Sequence, residues 1–320
     1  MKVFVTGAGG FIGGHVVDAL VAAGHEVTAL VRRRRPRAAV RAILGDVAEP
    51  ATYLTALRGC DAAIHLAADY QLGPRDRAAM YRANVTGTVA MVDAALAAGV
   101  PRIVHTSSTA ALGSSGATVD DPPGDEARRH DGVFRSYYEE TKHIAHGLVA
   151  ARIARGAPIM IAIPGGVFGA DDRSVLALTL RDVARGKLPL QVATTSRFQL
   201  CPVERVADGL VAIASRGRLG ESYLLTGVAT SMPALITRTA TLAGRPAPRT
   251  VPRSKLRAVA ALADRLRTLG VALPLSGEAL AVMDGSQYVY ASTKARRELG
   301  WDPGDVDAAL ERYLATVAAG

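Results

Sequence analysis

Gly7-Ala8-Gly9-Gly10-Phe11-Ile12-Gly13 stands between a short apolar run, residues 2–5, and a stretch of small and apolar residues, 11–23, with helical character. Its glycines fall at 7, 10 and 13, a G-x-x-G-x-x-G spacing. Gly7 permits a tight turn, Gly10 lets backbone amides approach a pyrophosphate, and Gly13 lets the following helix pack closely on a sheet. The free N–H groups at the start of that helix favour an anion. In a strand–turn–helix context such a turn points to a bound dinucleotide, with Phe11 and Ile12 in the same cradle.

Outward from this turn, strand-like and helix-like runs alternate. Residues 26–31, 42–44, 62–66, 102–106 and 159–163 are apolar runs of strand length, separated by helical stretches at 52–57, 76–98 and 136–155. Strands alternating with helices imply a parallel sheet covered on both faces, and continuous apolar runs are what doubly buried strands require. After Pro164 the regularity fades. Helical segments are expected at 174–185, 204–215, 234–243, 255–269, 293–299 and 306–317, with strand-like pieces at 199–203 and 222–225. Residues 246–252 read as a linker or turn, and 113–131 as a long loop, of a length that is usually functional or mobile.

The chain has 320 residues, with 38 Lys and Arg against 29 Asp and Glu, an excess of nine positive charges. Arginine supplies most of it, dispersed apart from the cluster at 32–35. A single cluster without interleaved aromatics does not make a nucleic-acid face. Hydrophobic residues at 49% and charged residues at 21% exclude a disordered chain. Cys60 and Cys201 stand alone, so neither a disulfide framework nor a metal site is expected. No apolar run reaches the length of a membrane span, and no charged segment followed by a long apolar one opens the chain. A cytoplasmic setting without a secretory leader is the expectation.

The second strand ends Ala29-Leu30-Val31-Arg32-Arg33, with no acid in reach. A carboxylate there would hold a ribose 2′-hydroxyl, whereas a guanidinium accommodates a 2′-phosphate. The expected cofactor is therefore NADP, with Arg32 and Arg33 as contacts and NAD as the other dinucleotide the fold could take. Gly45-Asp46-Val47, after the third strand, suits the adenine.

Tyr138-Glu139-Glu140-Thr141-Lys142 carries the catalytic signal. Four residues make one helical turn, so Tyr138 and Lys142 share a face. A tyrosine of pKa ~10 needs electrostatic help to work as an acid or base near neutrality, and a lysine ammonium one turn away can supply part of it. Tyr137 lacks such a partner, because the residue four places on is Thr141. Thr106-Ser107-Ser108-Thr109 closes an apolar strand at the sheet edge where ligands bind, and Ser108 can hydrogen-bond a substrate oxygen.

The glycine turn, His65-Leu66-Ala67-Ala68, Asn84-Val85-Thr86-Gly87-Thr88, Thr106-Ser107-Ser108, Tyr138-x-x-x-Lys142, Pro164-Gly165-Gly166-Val167-Phe168-Gly169 and Leu299-Gly300-Trp301-x-Pro303 together resemble the extended short-chain dehydrogenase/reductase (NAD-dependent epimerase/dehydratase) family over nearly the whole chain. Within it the chain is most similar to the dihydroflavonol-4-reductase-like branch and to bacterial relatives known as hopanoid-associated sugar epimerases. The resemblance implies Tyr138 as acid/base, Lys142 on the nicotinamide ribose and lowering the tyrosine pKa, and Ser108 on the substrate oxygen. It further implies that Leu66, Ala67, Ala68 and Thr106 line the cofactor, that Pro164, Gly165, Gly166 and Val167 border the nicotinamide, and that the chain forms a homodimer. Two departures matter. No Asp-Glu pair stands beside Thr106-Ser107-Ser108-Thr109, so the carboxylates for eliminating water are missing; and Pro202-Val203-Glu204-Arg205 stands where relatives read His-Val-Asp-Asp.

The expected fold is thus α/β, a Rossmann-type doubly wound parallel sheet with a smaller, mostly helical substrate-binding lobe. Residues 1–170 form the dinucleotide-binding part, to which the chain returns near 199–215, and 171–320 form mainly the lobe. The expected function is NADP-dependent reduction of a ketone or aldehyde of a small molecule, or oxidation of the alcohol. A nucleotide-sugar epimerase with retained cofactor, using Arg197 or Arg238 for a diphosphate, and a redox-silent dinucleotide sensor or scaffold are the alternatives.

Overall fold

Seven of the apolar runs line up in one parallel sheet. The computed structural model describes residues 1–33, 36, 38–116, 118, 120–252, 277–282 and 285–318. Its strands in chain order are β1 (Lys2–Thr6), β2 (Glu26–Val31), β3 (Arg41–Leu44), β4 (Ala62–His65), β5 (Ile103–Thr106), β6 (Ile159–Pro164), β7 (Gly166–Phe168), β8 (Leu190–Val192), β9 (Arg197–Pro202), β10 (Ser222–Leu225), β11 (Val228–Ser231), β12 (Arg249–Val251) and β13 (Gln287–Tyr288). The main sheet runs β10-β6-β5-β4-β1-β2-β3, every pair parallel.

Helices α1 (Phe11–Ala22), α2 (Leu54–Leu57), α3 (Arg77–Tyr81), α4 (Gly87–Ala97), α5 (Thr109–Leu112), α6 (Tyr137–Ile153), α7 (Val175–Ala184), α8 (Val203–Arg216) and α9 (Met232–Leu242) follow, with further helices at Gly277–Val282, Thr293–Leu299 and Val306–Ala318. Successive strand residues face opposite sides, and the core divides accordingly. Val3 and Val5 of β1 pack with Val16 and Leu20 of α1 and Leu210 and Ile213 of α8, whereas Phe4 packs on the other face with Met91 and Val92 of α4 and Val149 of α6. Both faces are dry, and each fully buried aliphatic or aromatic side chain contributes about 1.5–3 kcal/mol.

The smaller lobe is more mixed than expected. Strand β9, anticipated near 199–203, lies outside the main sheet and forms the middle of a second one, between β11 and β13 and also paired to β7. It is α8 and β10 that return to the main sheet. Residues 246–252 contain strand β12, which pairs with β8; its outward-facing polar residues hide the strand pattern. The described residues within 113–131 form a loop, tied down by bridges from Gly116 to Gln287 and from Gly124 to Tyr290. The expected helix at 255–269 lies outside the described residues. No helix among the described residues is long and apolar enough to cross a membrane.

One expected helix is interrupted. Within 76–98 the chain forms α3, then a single wide turn, Arg82–Thr86, of π-helical type, then α4. Buried Asn84 sits in that turn. Its amide accepts from Asp69 N (2.7 Å) and donates to Asp69 O (3.0 Å) and Thr141 Oγ1 (3.0 Å), so bonds to other elements accompany the shift of register.

Candidate active site

The strand order reverses on either side of β1, which places a crevice at the C-terminal ends of β1 and β4. Gly7 turns there with φ +71°, and a Cβ on it would lie 2.7 Å from Ala67 N and from Leu66 C. A Cβ on Gly13 would lie 2.1 Å from Gly7 O, while Gly10 N donates to that same carbonyl at 2.9 Å. Gly7 and Gly13 are therefore required by backbone approach, while a Cβ on Gly10 would lie 3.1 Å from Gly7 O, a tight contact. Helix α1 begins at Phe11 with no side-chain cap and no acid in its first turn, leaving N–H groups for an anion. Phe11 packs edge-on to His15, and Ile12 is half-buried against the core.

The other cofactor candidates follow the same sheet edge. Arg32 and Arg33 are exposed just beyond β2; Arg34 and Arg35 of the cluster lie outside the described residues. Asp46 accepts Ala48 N (2.8 Å) and lies 3.9 Å from Arg82, which stiffens the turn after β3; buried Val47 packs under Gly87. Leu66, Ala67 and Ala68 leave β4, with the Leu66 and Ala67 amides donating to Thr6 Oγ1. Pro164 ends β6, Gly165 follows it, and Gly166 and Val167 pair with β9, where a Cβ on Gly166 would meet Gln199 O at 2.7 Å.

Ser108, Tyr138 and Lys142 come together at the end of β5. Ser108 caps α5, its Oγ accepting Ala110 N (3.2 Å), and its hydroxyl lies near enough to the Tyr138 phenol to act on it. Ser107 turns away: its Oγ lies 2.9 Å from His146 Nδ1. The two tyrosines divide the same way, since Tyr137 carries the Arg77 guanidinium on its ring while Tyr138 meets Ser108. Lys142 is 3% exposed and donates to Thr106 O at 2.8 Å. Burial pushes the Lys142 ammonium down to about 8. Burial also raises the Tyr138 phenol above its ordinary value, the Tyr70 hydroxyl adding to the rise and the nearby Ser108 hydroxyl opposing it. The expected lowering of Tyr138 by Lys142 is not among the influences on this phenol, where desolvation dominates and raises it.

Helix α6 is built to hold this geometry. Ser136 caps it, accepting Glu139 N at 3.1 Å. Glu139 reaches back to Arg135 N (2.7 Å), a capping box shifted by one residue, and also takes Tyr288 OH (3.1 Å). Its carboxylate lies 3.2 Å from His130 Nε2. Behind the site, His65 bridges Thr6 and Thr88 and stacks on His105; burial holds His65 down at about 3, so it packs as a neutral ring.

The residues fit a nicotinamide dinucleotide on two observations. Gly7 and Gly13 of the cradle cannot carry side chains without backbone clashes, and Lys142 has three N–H donors of which one is satisfied by Thr106, whose own buried Oγ1 has no protein partner. Lys142 and Thr106 would hold the ribose side and the glycine turn the pyrophosphate. Two further residues belong to this site and were not among the sequence candidates. Asn84 ties the loop after β4 to α6. Tyr70 stands edge-on to Tyr138, ring centroids 4.8 Å apart, and remains 54% exposed. Asn84 lies in a motif already quoted; nothing in the local sequence marks Tyr70. Arg238, a diphosphate candidate, lies against Asp307 (3.5 Å) and Glu311 (4.0 Å).

A doubly wound sheet with this cradle and a Ser-Tyr-Lys cluster defines a nicotinamide-dependent enzyme of the short-chain dehydrogenase/reductase type. The chain belongs to the NAD dependent epimerase/dehydratase family, which it matches over residues 3–226. It is 30% identical to a candidate dihydroflavonol 4-reductase of Synechocystis, over 96% of this chain and 92% of that one. It is 32% identical to the 4-hydroxy-2-methyl-3-oxo-4-farnesyl-3,4-dihydroquinoline-1-oxide ketoreductase of Stigmatella aurantiaca, over 94% and 92%. The crystal structure of gox2253 superposes with a TM-score of 0.82 at 31% identity, over 99% of this chain and 98% of that one. The chain is an NAD(P)-dependent oxidoreductase.

Proposed function

We propose that the chain is an NADP-dependent carbonyl reductase, converting a ketone or aldehyde of a small, largely apolar molecule to the alcohol, and running in reverse when alcohol and oxidised cofactor are in excess. The observation that carries it is the convergence of Ser108, Tyr138 and the buried Lys142, bonded to Thr106 O, at the C-terminal end of β5. When bound, the nicotinamide supplies hydride to the carbonyl carbon. Ser108 donates to the carbonyl oxygen and holds it beside the phenol. Tyr138 gives its proton to that oxygen as negative charge develops, and so must be protonated beforehand. Lys142 anchors the ribose with its remaining N–H donors, and its positive charge steadies the phenolate left behind.

Arg32 and Arg33 at the end of β2, with no acid beside them, support NADP over NAD. The ketoreductase name of the Stigmatella relative supports a carbonyl substrate with an extended apolar part. In this reading residues 1–170, with the return of the chain near 199–215, hold the cofactor, residues 171–320 mainly hold the substrate, and the enzyme works as a cytoplasmic homodimer.

The experiment is to mix the purified chain with NADPH and a panel of acetophenone, ethyl acetoacetate and androstenedione, following loss of reduced nicotinamide, and in parallel with UDP-glucose, following its conversion. Net NADPH consumption with a ketone supports the reading. UDP-glucose turnover without net NADPH loss overturns it in favour of an epimerase.

A further inference from the structure

Glu278 lies far from the catalytic cluster in sequence, yet its carboxylate is shared among three groups that frame it. Its Oε2 accepts Gly73 N at 2.8 Å and Tyr137 N at 3.3 Å, and its Oε1 accepts Arg77 Nη2 at 3.3 Å. The sequence separations are 205, 141 and 201 residues. Gly73 belongs to the loop between β4 and α3, which carries Tyr70; Tyr137 is the first residue of α6 and the neighbour of Tyr138.

Each contact has a physical reason. The first amides of a helix have no partner inside it, and in α6 Ser136 satisfies only that of Glu139. The Tyr137 amide is one of those left over, and an anion at the start of a long helix also meets the positive end of its dipole. Gly73 offers a backbone N–H that a neighbouring side chain cannot crowd. The Arg77–Glu278 pair is half-open to solvent and adds little by itself; Arg77 also covers the Tyr137 ring at 4.8 Å. The two amide bonds to one carboxylate are the directional part.

The Tyr70 loop is thereby held at two points. Asn84 clamps it at Asp69, beside Thr141 of α6, and Glu278 clamps it at Gly73, beside Tyr137 of α6. Between the clamps stands Tyr70, its exposed ring edge-on to Tyr138. Asn84 lies on the dinucleotide-binding part of the chain, Glu278 on the other, so the second clamp brings the later part of the chain to the Tyr138 helix.

We propose that Glu278 is a positioning residue for substrate: its carboxylate latches the Tyr70 loop to the N-terminus of α6, setting Tyr70 as the aromatic wall against which the carbonyl-bearing group packs beside Tyr138. The proposal rests on the reading of Tyr138 as proton donor. Glu278 acts through the Gly73 and Tyr137 amides it holds. Its loss leaves the Tyr138–Ser108 pair and Lys142 in place but lets the wall move, which weakens substrate capture more than the chemical step.

The test has two arms on the full chain. In Glu278→Ala, hydrogen exchange at the amides of Gly73 and Tyr137 speeds at least tenfold, while NADPH affinity stays within threefold of the parent. With the ketone of the panel above that is turned over, KM rises about tenfold or more and kcat changes less than threefold. Glu278→Gln, which keeps an acceptor oxygen, recovers part of both effects. In a Tyr70→Leu background, Glu278→Ala changes KM by less than threefold, because the wall it positions is gone. Unchanged exchange at both amides, a KM that does not move although exchange speeds up, or KM effects that multiply independently in the double variant would each overturn the proposal. Absence of turnover with every ketone refutes the reductase reading, and the exchange arm still decides whether Glu278 is the latch.

Discussion

Replacing Lys142 by methionine should make the protein more stable while abolishing its activity. Lys142 is 3% exposed, and burial brings its ammonium from an ordinary 10.5 to about 8. That gap of about 2.5 pH units, at 1.36 kcal/mol for each, means that keeping the buried lysine charged costs ~3 kcal/mol. Methionine fills nearly the same volume without a charge and gives up the charge-assisted bond to Thr106 O, worth about 1.5–3 kcal/mol. The net expectation is a gain of up to about 1.5 kcal/mol near neutral pH, read from urea midpoints at constant slope. The pH dependence follows from the proton balance. Between about 8 and 10.5 the unfolded chain holds the lysine proton and the folded chain has released it, so the parent gains stability as pH rises through that window. The advantage of Lys142→Met, fully present below the folded value, therefore shrinks above it and disappears or reverses by the unfolded one. A variant less stable than the parent at neutral pH, or a difference that stays constant up to the unfolded value, would refute the account of Lys142 as a charge held at a cost for the ribose.

Arg32→Asp places a carboxylate where a 2′-phosphate would sit. NADPH affinity should fall roughly 10–100-fold, the equivalent of one charge-assisted bond, while NADH affinity holds or improves; fluorescence titration with both cofactors checks this, and equal losses would contradict it. Gly13→Ala drives a methyl to within 2.1 Å of Gly7 O, so the turn must open. The expected cost is about 1–3 kcal/mol, with both dinucleotides weakened alike, read from denaturation and the same titrations.

How far the sequence could be read follows from which forces are local. Strands 26–31 and 159–163 were legible because a strand buried on both faces needs an unbroken apolar run, and the run itself is the signal. The Tyr138–Lys142 pair was legible because one helical turn is a fixed spacing. The break at Asn84 was not: a π-type turn shifts the apolar pattern by a single residue, and the bonds that accompany it come from Asp69 and Thr141 on other elements. Strand β12 was hidden because an exposed short strand carries polar residues and reads as a turn. Tyr70 and Glu278 gave no signal, since an exposed tyrosine in a loop and a glutamate on a short helix acquire meaning only when the fold brings them to α6. The rise of the Tyr138 phenol likewise depends on burial, which spacing does not report.

The central claim is that Tyr138 delivers the proton that completes carbonyl reduction. Its most direct test is Tyr138→Phe, compared with the parent for NADPH affinity and for NADPH oxidation with the ketone the parent turns over. Affinity within threefold of the parent and turnover lowered by about 10²–10⁴ is the predicted result. Turnover equal to that of the parent, with NADPH still bound, would contradict it.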